Sequence, residues 1–572
     1  MPVTSRLCRV LLAVLLLGPC FGGAAHAREK LVATRFAVTS GHPAASAAGL
    51  SVLQQGGNVV DAAVTTSLTM GVAAPWGSGL GGKMVMLYRN GATGEVHCVE
   101  ALNAAPRELD PDKFAALPRE DRRHGFAAVC VPGLPAGLAL AHGRWGSRDW
   151  DEVVQPAVEL AERGIPFDQE MQPLFRHKVA RLRHDPGAAG LYLSNGKAPG
   201  VGSSMQFPDL AATLREIAAE GVQAFYKGEI GKRIVEACRA GGSDLTQRDF
   251  ATYEPRVPPP LTDSFGGYRV CTSPPPTTGG VTVLAALKTL EGVDWTKEDT
   301  HDIHSIEKLC GVLLEIYPRI DREIADVVDS VEMAKGLLAP ESIRLIRRNA
   351  LAIAEDAAAR DKKSQPVPQP LEPTMDDESD ASTSHLVVAD SEGNVVCITQ
   401  SLSFHFGASV VAPGTGVLLN NSMSNFNVTN RKSVNTLAPG KRPRSTVAPV
   451  IVEEEGHVKL ALGIPGGQRI PSTTIQLLLD VLGSGQELPS ALGRWRYHLR
   501  RPIYRGEPSN FIDFEEEAPD DLVGQLVTRG WRTEERQSDG SYFGGGNGVQ
   551  YLPDGRLLAA ADPRRTNDAA GK

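Results

Sequence analysis

Ala381-Ser382-Thr383-Ser384-His385-Leu386-Val387-Val388-Ala389-Asp390 runs into Ser391-Glu392-Gly393-Asn394 and then into Val395-Val396-Cys397-Ile398-Thr399. Two apolar, β-branched runs joined by four turn-forming residues predict a β-hairpin, and the scarcity of polar residues after His385 predicts that it is buried on both faces. The preceding text is of the opposite kind. From about 362 to 382 it carries prolines, then Asp376-Asp377-Glu378-Ser379-Asp380, and hardly an apolar side chain. Such a segment cannot repay the entropy of ordering, which predicts a flexible, solvated linker. Thr383 therefore stands where a loose tail meets the first strand of a core sheet.

That position has a chemical use. A threonine hydroxyl is a weak nucleophile at its own pKa and needs an adjacent base. If the chain is cut between Ser382 and Thr383, the new α-amine, whose ordinary pKa is about 7.7 to 8.0, is that base. Before the cut, the same hydroxyl can attack the preceding carbonyl and form an ester that water opens. The pattern is what a self-cleaving N-terminal nucleophile hydrolase requires, in which His385 is structural because the amine supplies the base; by itself it also fits an ordinary threonine at the entry to a strand.

The remaining chain is compatible with a large globular enzyme. Of 572 residues, 42% are hydrophobic and 22% charged, far from the apolar-poor composition of disordered chains. A net charge of -8 gives no basic footprint for a phosphate backbone, so nucleic acid is excluded as a partner. Arg6 and Arg9, the apolar run Val10 to Leu17 and the small-residue ending Ala25-His26-Ala27 predict a signal peptide over 1–27, and hence a periplasmic or secreted protein. That run is well short of the ~20 residues of a membrane span, and no later segment supplies one.

Six cysteines follow the leader: Cys98, Cys130, Cys238, Cys271, Cys310 and Cys397. None forms a CxxC pair, which argues against a metal or redox site. Disulfides are compatible with export, but Val-Cys-Val around Cys130 and Val-Cys-Ile around Cys397 favour buried free thiols. Residues 46 to 74 predict two packed helices broken at Gln54-Gln55-Gly56-Gly57-Asn58. The glycine loop Gly77-Ser78-Gly79-Leu80-Gly81-Gly82 leads into a hairpin pattern over Met84 to Tyr88 and Glu95 to Val99, and backbone must pass close to something there. From about 130 to 350 the text is largely helical, interrupted by Pro274-Pro275-Pro276-Thr277-Thr278-Gly279-Gly280. The loop at 77 to 82 lacks the spacing of phosphate-binding loops, and no cofactor or metal is implied.

The combination resembles the γ-glutamyltransferase family from about residue 30 to Arg564. Its carriers include Gly56-Gly-Asn-Val-Val-Asp-Ala-Ala63, Ser78-Gly-Leu-Gly-Gly82, Val131-Pro-Gly-Leu-Pro-Ala-Gly137, Thr383-Ser-His385, Gly416-Val-Leu-Leu-Asn-Asn-Ser-Met423, Lys441-Arg-Pro-Arg-Ser-Thr446, Pro465-Gly-Gly467 and Ala561-Asp-Pro-Arg564, in collinear order. The resemblance implies an α+β fold, an αββα sandwich built jointly by a large subunit (28–382) and a small one (383–572) that stay together after self-cleavage. It assigns Thr383 as nucleophile, Ser401 as the hydroxyl that holds the free α-amine, and the N–H groups of Gly466 and Gly467 as the oxyanion hole. Ser403, Ser422, Asn425, Ser445 and Thr446 fall at substrate-binding positions.

Two of the matched positions depart from the family pattern. The carboxylate-binding arginine is replaced by Leu102, in Ala101-Leu102-Asn103-Ala104-Ala105-Pro106, and the aspartate that pairs with the substrate's α-ammonium is replaced by Asn425. Each lost charge-assisted contact is worth roughly 1.5 to 3 kcal/mol. The expectation is an amidohydrolase or acyltransferase for a small-molecule or peptide amide whose acyl group lacks the α-ammonium. Lys83 and Arg444 are candidates for a relocated positive charge. Two alternatives stay open: a true γ-glutamyltransferase or glutathione hydrolase, in which Arg107 or Arg444 reaches the carboxylate, and a non-catalytic exported binding protein of the same fold.

Overall fold

The computed structural model describes residues 30–572 apart from 177, 294–298, 361–380, 501–509, 539 and 541. The leader at 1–27 and most of the linker at 362–382 lie outside the described residues.

The expected hairpin is present and central. Thirteen strands of two sheets organise the molecule: β1 (Lys30–Ala33), β2 (Phe36–Ser40), β3 (Lys83–Arg89), β4 (Val96–Ala101), β5 (Leu261–Phe265), β6 (Tyr268–Thr272), β7 (Ala381–Asp390), β8 (Val395–Phe404), β9 (Val450–Glu454), β10 (His457–Gly463), β11 (Asn547–Tyr551), β12 (Leu557–Ala561) and β13 (Asp568–Gly571). One sheet has the order β13-β2-β7-β8-β3-β4, the other β1-β12-β11-β10-β9-β6-β5. The hairpin β7–β8 thus occupies the middle of its sheet, flanked by β2 and β3.

Period-two alternation explains why the sequence there is apolar without interruption. Val387 and Ala389, with Val85, Leu87 and Cys397, join the core shared with the second sheet, through residues such as Ile451, Ala461 and Val549. Leu386 and Val388, with Met84, Met86, Val396 and Ile398, face the opposite way. They meet the helices α1 (Pro43–Gln54) and α2 (Val59–Ala73) among others. The far side of the second sheet is covered by α3 (Gly279–Leu290), α4 (Ile303–Glu323), α5 (Pro340–Arg360) and α6 (Arg469–Leu478). The result is the αββα sandwich.

Helices α1 and α2 bear out the reading of 46 to 74. Asn58 caps α2 by accepting from the Val60 and Asp61 N–H groups at 2.8 and 3.0 Å, while the Asp61 carboxylate accepts from the Asn58 N–H at 2.9 Å. The hairpin β3–β4 is also as expected. The hairpin β5–β6 is not: it lies inside the stretch read as largely helical and forms an edge of the second sheet. Its signal was the turn Gly266-Gly267 between two five-residue runs, short enough to be hidden by helical neighbours. A three-stranded sheet of Tyr497–Leu499, Phe511–Glu515 and Arg532–Arg536 was likewise not anticipated.

A further correction concerns Thr383 itself. The strand begins at Ala381, so Thr383 is its third residue rather than its start. Ser382 pairs with Ser403 and Ala381 with Phe404, and the Ser382 hydroxyl donates to the Trp76 carbonyl at 2.6 Å, which draws the last residues of the linker into the sheet. All six cysteines are free and buried. Among the described residues no helix is long and apolar enough to cross a membrane.

Candidate active site

Strand register places three polar side chains side by side on the inter-sheet face. Lys83 on β3 lies opposite Ser401 on β8. Thr399 on β8 lies opposite His385 on β7, so Thr383, two residues earlier, sits beside Ser401. The ladder shifts between Gln400 and Ser403, and Ser403 has φ 83°. This bulge sets two residues of β8, Ser401 and Leu402, against Thr383 before pairing resumes at Ser403 and Ser382.

In this unprocessed chain the Thr383 hydroxyl donates to the Ser382 carbonyl at 2.7 Å and lies 3.3 Å from Ser401 Oγ. Ser401 Oγ itself donates to the Ser382 carbonyl and accepts from the Ser403 N–H at 2.9 Å. The Arg565 guanidinium donates to the Thr383 carbonyl at 3.2 Å. Two hydroxyls and the bond between 382 and 383 therefore form one knot. Behind it His385 is enclosed, with Nδ1 2.9 Å from Thr399 Oγ1, and burial lowers its pKa to about 3. A neutral, enclosed imidazole agrees with a structural role.

The glycine loop packs directly against the strand that carries Ser401. A Cβ on Gly82 would lie 2.7 Å from the Ser401 carbonyl oxygen, so only glycine allows the approach.

Thr383, Ser401, Ser403, Asn425, Ser445, Thr446 and Gly467 line one cleft of about 1040 Å³. Ser422 and Gly466 stand just behind its wall. Ser422 Oγ is 2.9 Å from Ser403 Oγ, and Asn425 Nδ2 donates to Ser403 Oγ at 3.2 Å. Gly466 has φ 135° and Gly467 φ 59°, and neither donates its N–H to a backbone carbonyl among the described residues. Thr446 Oγ1 donates to the Gly467 carbonyl at 2.7 Å, and the Arg469 and Ile470 N–H groups return to the Gly466 and Gly467 carbonyls as α6 begins. Two neighbouring N–H groups without a backbone acceptor at a helix start are suited to an oxyanion. The pair Asn420-Asn421 is a brace: Asn420 Nδ2 donates to the Gly81 and Cys130 carbonyls at 2.8 and 2.9 Å, tying the glycine loop to the cleft wall.

A family model described as Gamma-glutamyltranspeptidase matches residues 45–572. The chain belongs to the gamma-glutamyltranspeptidase family. It is 30% identical over 509 residues to the glutathione hydrolase proenzyme of Bacillus subtilis (strain 168), covering 86% of this chain and 84% of that one. It is 31% identical over 545 residues to the acylase ACY 1 proenzyme of Pseudomonas sp. (strain V22), covering 93% of each. The crystal structure of a cephalosporin acylase from Bacillus halodurans superposes with a TM-score of 0.82 at 25% identity, covering 98% of this chain and 99% of that one. The protein is thus an enzyme of the N-terminal nucleophile hydrolase family, and its α+β sandwich is that family's fold.

Within this gamma-glutamyltranspeptidase-family frame the structure sorts the candidate cations. Leu102 is 1% exposed and belongs to the inter-sheet core, away from the cleft lining. Arg107 is exposed and does not line the cleft. Arg444 lines it, but its guanidinium is held at the end of α4, donating to the Ile324 and Asp321 carbonyls at 2.6 Å each and to the Asp321 carboxylate at 3.1 Å. Lys83 is different. It is 4% exposed, lines the cleft beside Ser401, and donates to Ser403 Oγ at 2.9 Å. Burial lowers its pKa from 10.5 to about 8, with Cys130 acting in the opposite direction.

Sequence reading did not single out Asn103, Trp76 or Arg565, which contact Ser422, Ser382 and Thr383. Asn103 and Arg565 adjoin quoted motifs, but nothing in the text says that they converge.

Proposed function

We propose that the protein is a precursor that cuts its own Ser382–Thr383 bond and then hydrolyses amides through an acyl-Thr383 ester. In the first reaction Thr383 Oγ1 adds to the Ser382 carbonyl carbon. The C–N bond breaks as the C–O bond forms, the α-amine of Thr383 takes the proton, and water opens the ester to leave a carboxylate on Ser382. In the second, the α-amine accepts the proton of Thr383 Oγ1 as the hydroxyl attacks the substrate carbonyl, then passes it to the departing amine. Water releases the acid. Gly466 and Gly467 N–H groups stabilise the oxyanion, Ser401 orients the amine and hydroxyl, and Ser445 with Thr446 holds the glycine turn against the bound acyl group.

The observation that carries this reading is the knot of Thr383 Oγ1, Ser401 Oγ and the Ser382 carbonyl, which faces the cleft. The acyl group is read as lacking an α-ammonium. Asn425 is neutral, and Lys83 donates to the same Ser403 oxygen as Asn425, so an ammonium there would meet another cation. Export to the periplasm or medium by the leader at 1–27 belongs to the same proposal. The test is intact mass spectrometry of purified protein after prolonged incubation. A fragment beginning at Thr383, missing from Thr383→Ala, is expected; an uncleaved wild-type chain would restore the binding-protein alternative.

A further inference from the structure

We infer that Arg565 is a positioning residue whose buried charge keeps the freed α-amine of Thr383 unprotonated at neutral pH, ready to act as the base. This rests on the reading of Thr383 as a nucleophile released by self-cleavage.

The first ground is the place where a strand leaves off. Strand β2 pairs with β7 as far as Thr39 opposite Val387. Where that pairing stops, side chains take its place on the same edge of β7. Asn547 Nδ2 donates to the His385 carbonyl at 3.0 Å, and Arg565 donates to the Thr383 carbonyl at 3.2 Å. A neutral amide is enough at His385. At Thr383, two residues earlier, the donor is a guanidinium, which stays charged at any working pH.

The second ground is that Arg565 is fixed. It belongs to the link 562–567, which crosses from β12 in one sheet to β13 in the other. Thr566 ties that link to the end of β2 by donating to the Gly41 carbonyl at 2.7 Å. Arg565 is 7% exposed and donates through Nε to the Gly540 carbonyl at 2.8 Å. A Cβ on Gly540 or Gly545 would come within 2.7 or 3.1 Å of its stem, so both glycines close on it. Arg565 lies outside the cleft lining, and its charge acts on Thr383 from behind.

The third ground is the edge that the two groups share. In an antiparallel strand the N–H and C=O of one residue project to the same side. Cleavage leaves the Thr383 carbonyl intact and turns the Thr383 nitrogen, on that side, into the amine. The guanidinium then stands on the order of 6 Å from it, counted through the carbonyl oxygen. A like charge at this range disfavours the ammonium. It lowers the amine's pKa from its ordinary value of about 7.7 to 8.0 toward the working pH, where a base is most effective. The other groups around Thr383 do not oppose this. Lys83 is a second cation, two strand spacings or about 10 Å away. His385 is neutral, Arg469 is a cation stacked on Tyr542, and Arg444 is occupied with Asp321. Asp562 is paired with Arg496 and Arg564, and Asp568 sits in the β13 ladder opposite Ser40. Burial of Thr383 itself, 3% exposed, acts in the same direction as Arg565, so the test must separate the two.

The test titrates the amine directly. Wild type, Arg565→Gln, Arg565→Met and Arg565→Lys are incubated until cleaved and then labelled with trace acetic anhydride between pH 5 and pH 10. Mass spectrometry reads acetylation of the peptide that begins at Thr383, so a variant that matures slowly is still measured on its cleaved fraction. The wild-type midpoint is expected at about pH 7 or below. Arg565→Gln and Arg565→Met should raise it by about one pH unit, and Arg565→Lys should hold it. Glutamine keeps a donor for the Thr383 carbonyl, so a shift in that variant reports the charge and not the lost contact. A wild-type midpoint at about pH 8 or above would overturn the inference without recourse to the variants. A low midpoint left in place by both neutral variants would overturn it as well, assigning the effect to burial. Absence of any peptide beginning at Thr383 in wild type would instead defeat the nucleophile reading, and the inference with it.

Discussion

Lys83→Met is expected to make the protein more stable at neutral pH. The Lys83 amine is 4% exposed and its pKa falls from 10.5 to about 8 through burial. At 1.36 kcal/mol per tenfold change in proton affinity, the folded state carries a cost of about 3 kcal/mol for keeping the ammonium. The sign follows from proton counting. Between pH 8 and 10.5 the unfolded chain holds a proton that the folded chain has lost, so wild-type stability rises with pH across that window and the full cost is present below it. Methionine removes the cost and loses one hydrogen bond to Ser403, about 1 kcal/mol, for a net gain of about 2 kcal/mol at pH 7. The Cys130 thiol, held neutral by burial, adds no competing charge in the lower half of that window. Calorimetric melting at pH 7 and pH 9.5, in a Thr383→Ala background so that one chain unfolds, would show the variant about 2 °C above its parent at pH 7. The gap should narrow or vanish at pH 9.5. A variant less stable than its parent by the same margin at both pH values would mean that the ammonium is already compensated and that the reasoning about an unpaired charge is wrong.

Asn425→Asp should place a carboxylate near Lys83, since both residues reach Ser403 Oγ, at 3.2 and 2.9 Å. A charge at such range moves a neighbouring pKa by about 1 to 3, upward for Lys83, so the gain in stability between pH 7 and pH 9.5 should shrink, which calorimetric melting at the two pH values would read. Ser401→Ala should slow appearance of the Thr383 fragment in a time course, and Ser401→Thr should preserve it. Gly466→Ala forces a Cβ to within 2.8 Å of the Phe543 carbonyl oxygen at φ 135°, so a drop in stability of about 1–3 kcal/mol by chemical denaturation and a large loss of kcat are expected. Iodoacetamide should label none of the six cysteines until the protein is denatured, and dithiothreitol should leave the melting temperature unchanged, as checked by mass spectrometry and calorimetry.

The elements on which the proposed chemistry rests were legible locally. The proposed self-cleavage needs a hydroxyl at a defined place in the chain, a following strand and a close-packed glycine loop. Thr383, the run Leu386 to Thr399 and Gly77 to Gly82 display all three within short windows. Helix boundaries at Asn58 were equally readable, because a cap and its first turn are neighbours in sequence.

Tertiary structure decided the rest. Both faces of the β7–β8–β3 region are buried, so alternation in Lys83-Met84-Val85-Met86-Leu87 carries no mark of which face opens on the cleft. Only the register against Ser401 shows that Lys83 faces the cleft. The same holds for Leu102, which the core claims, and for Arg444, which the end of α4 occupies. Arg565 reaches the Thr383 carbonyl across 182 residues, and the Ser422 hydroxyl meets Asn103 across 319. Periodicity, caps and turn residues are written into a sequence because their partners lie a few residues away. The direction of a side chain in a doubly buried sheet, and the charge that surrounds it, depend on partners that only the folded chain brings together.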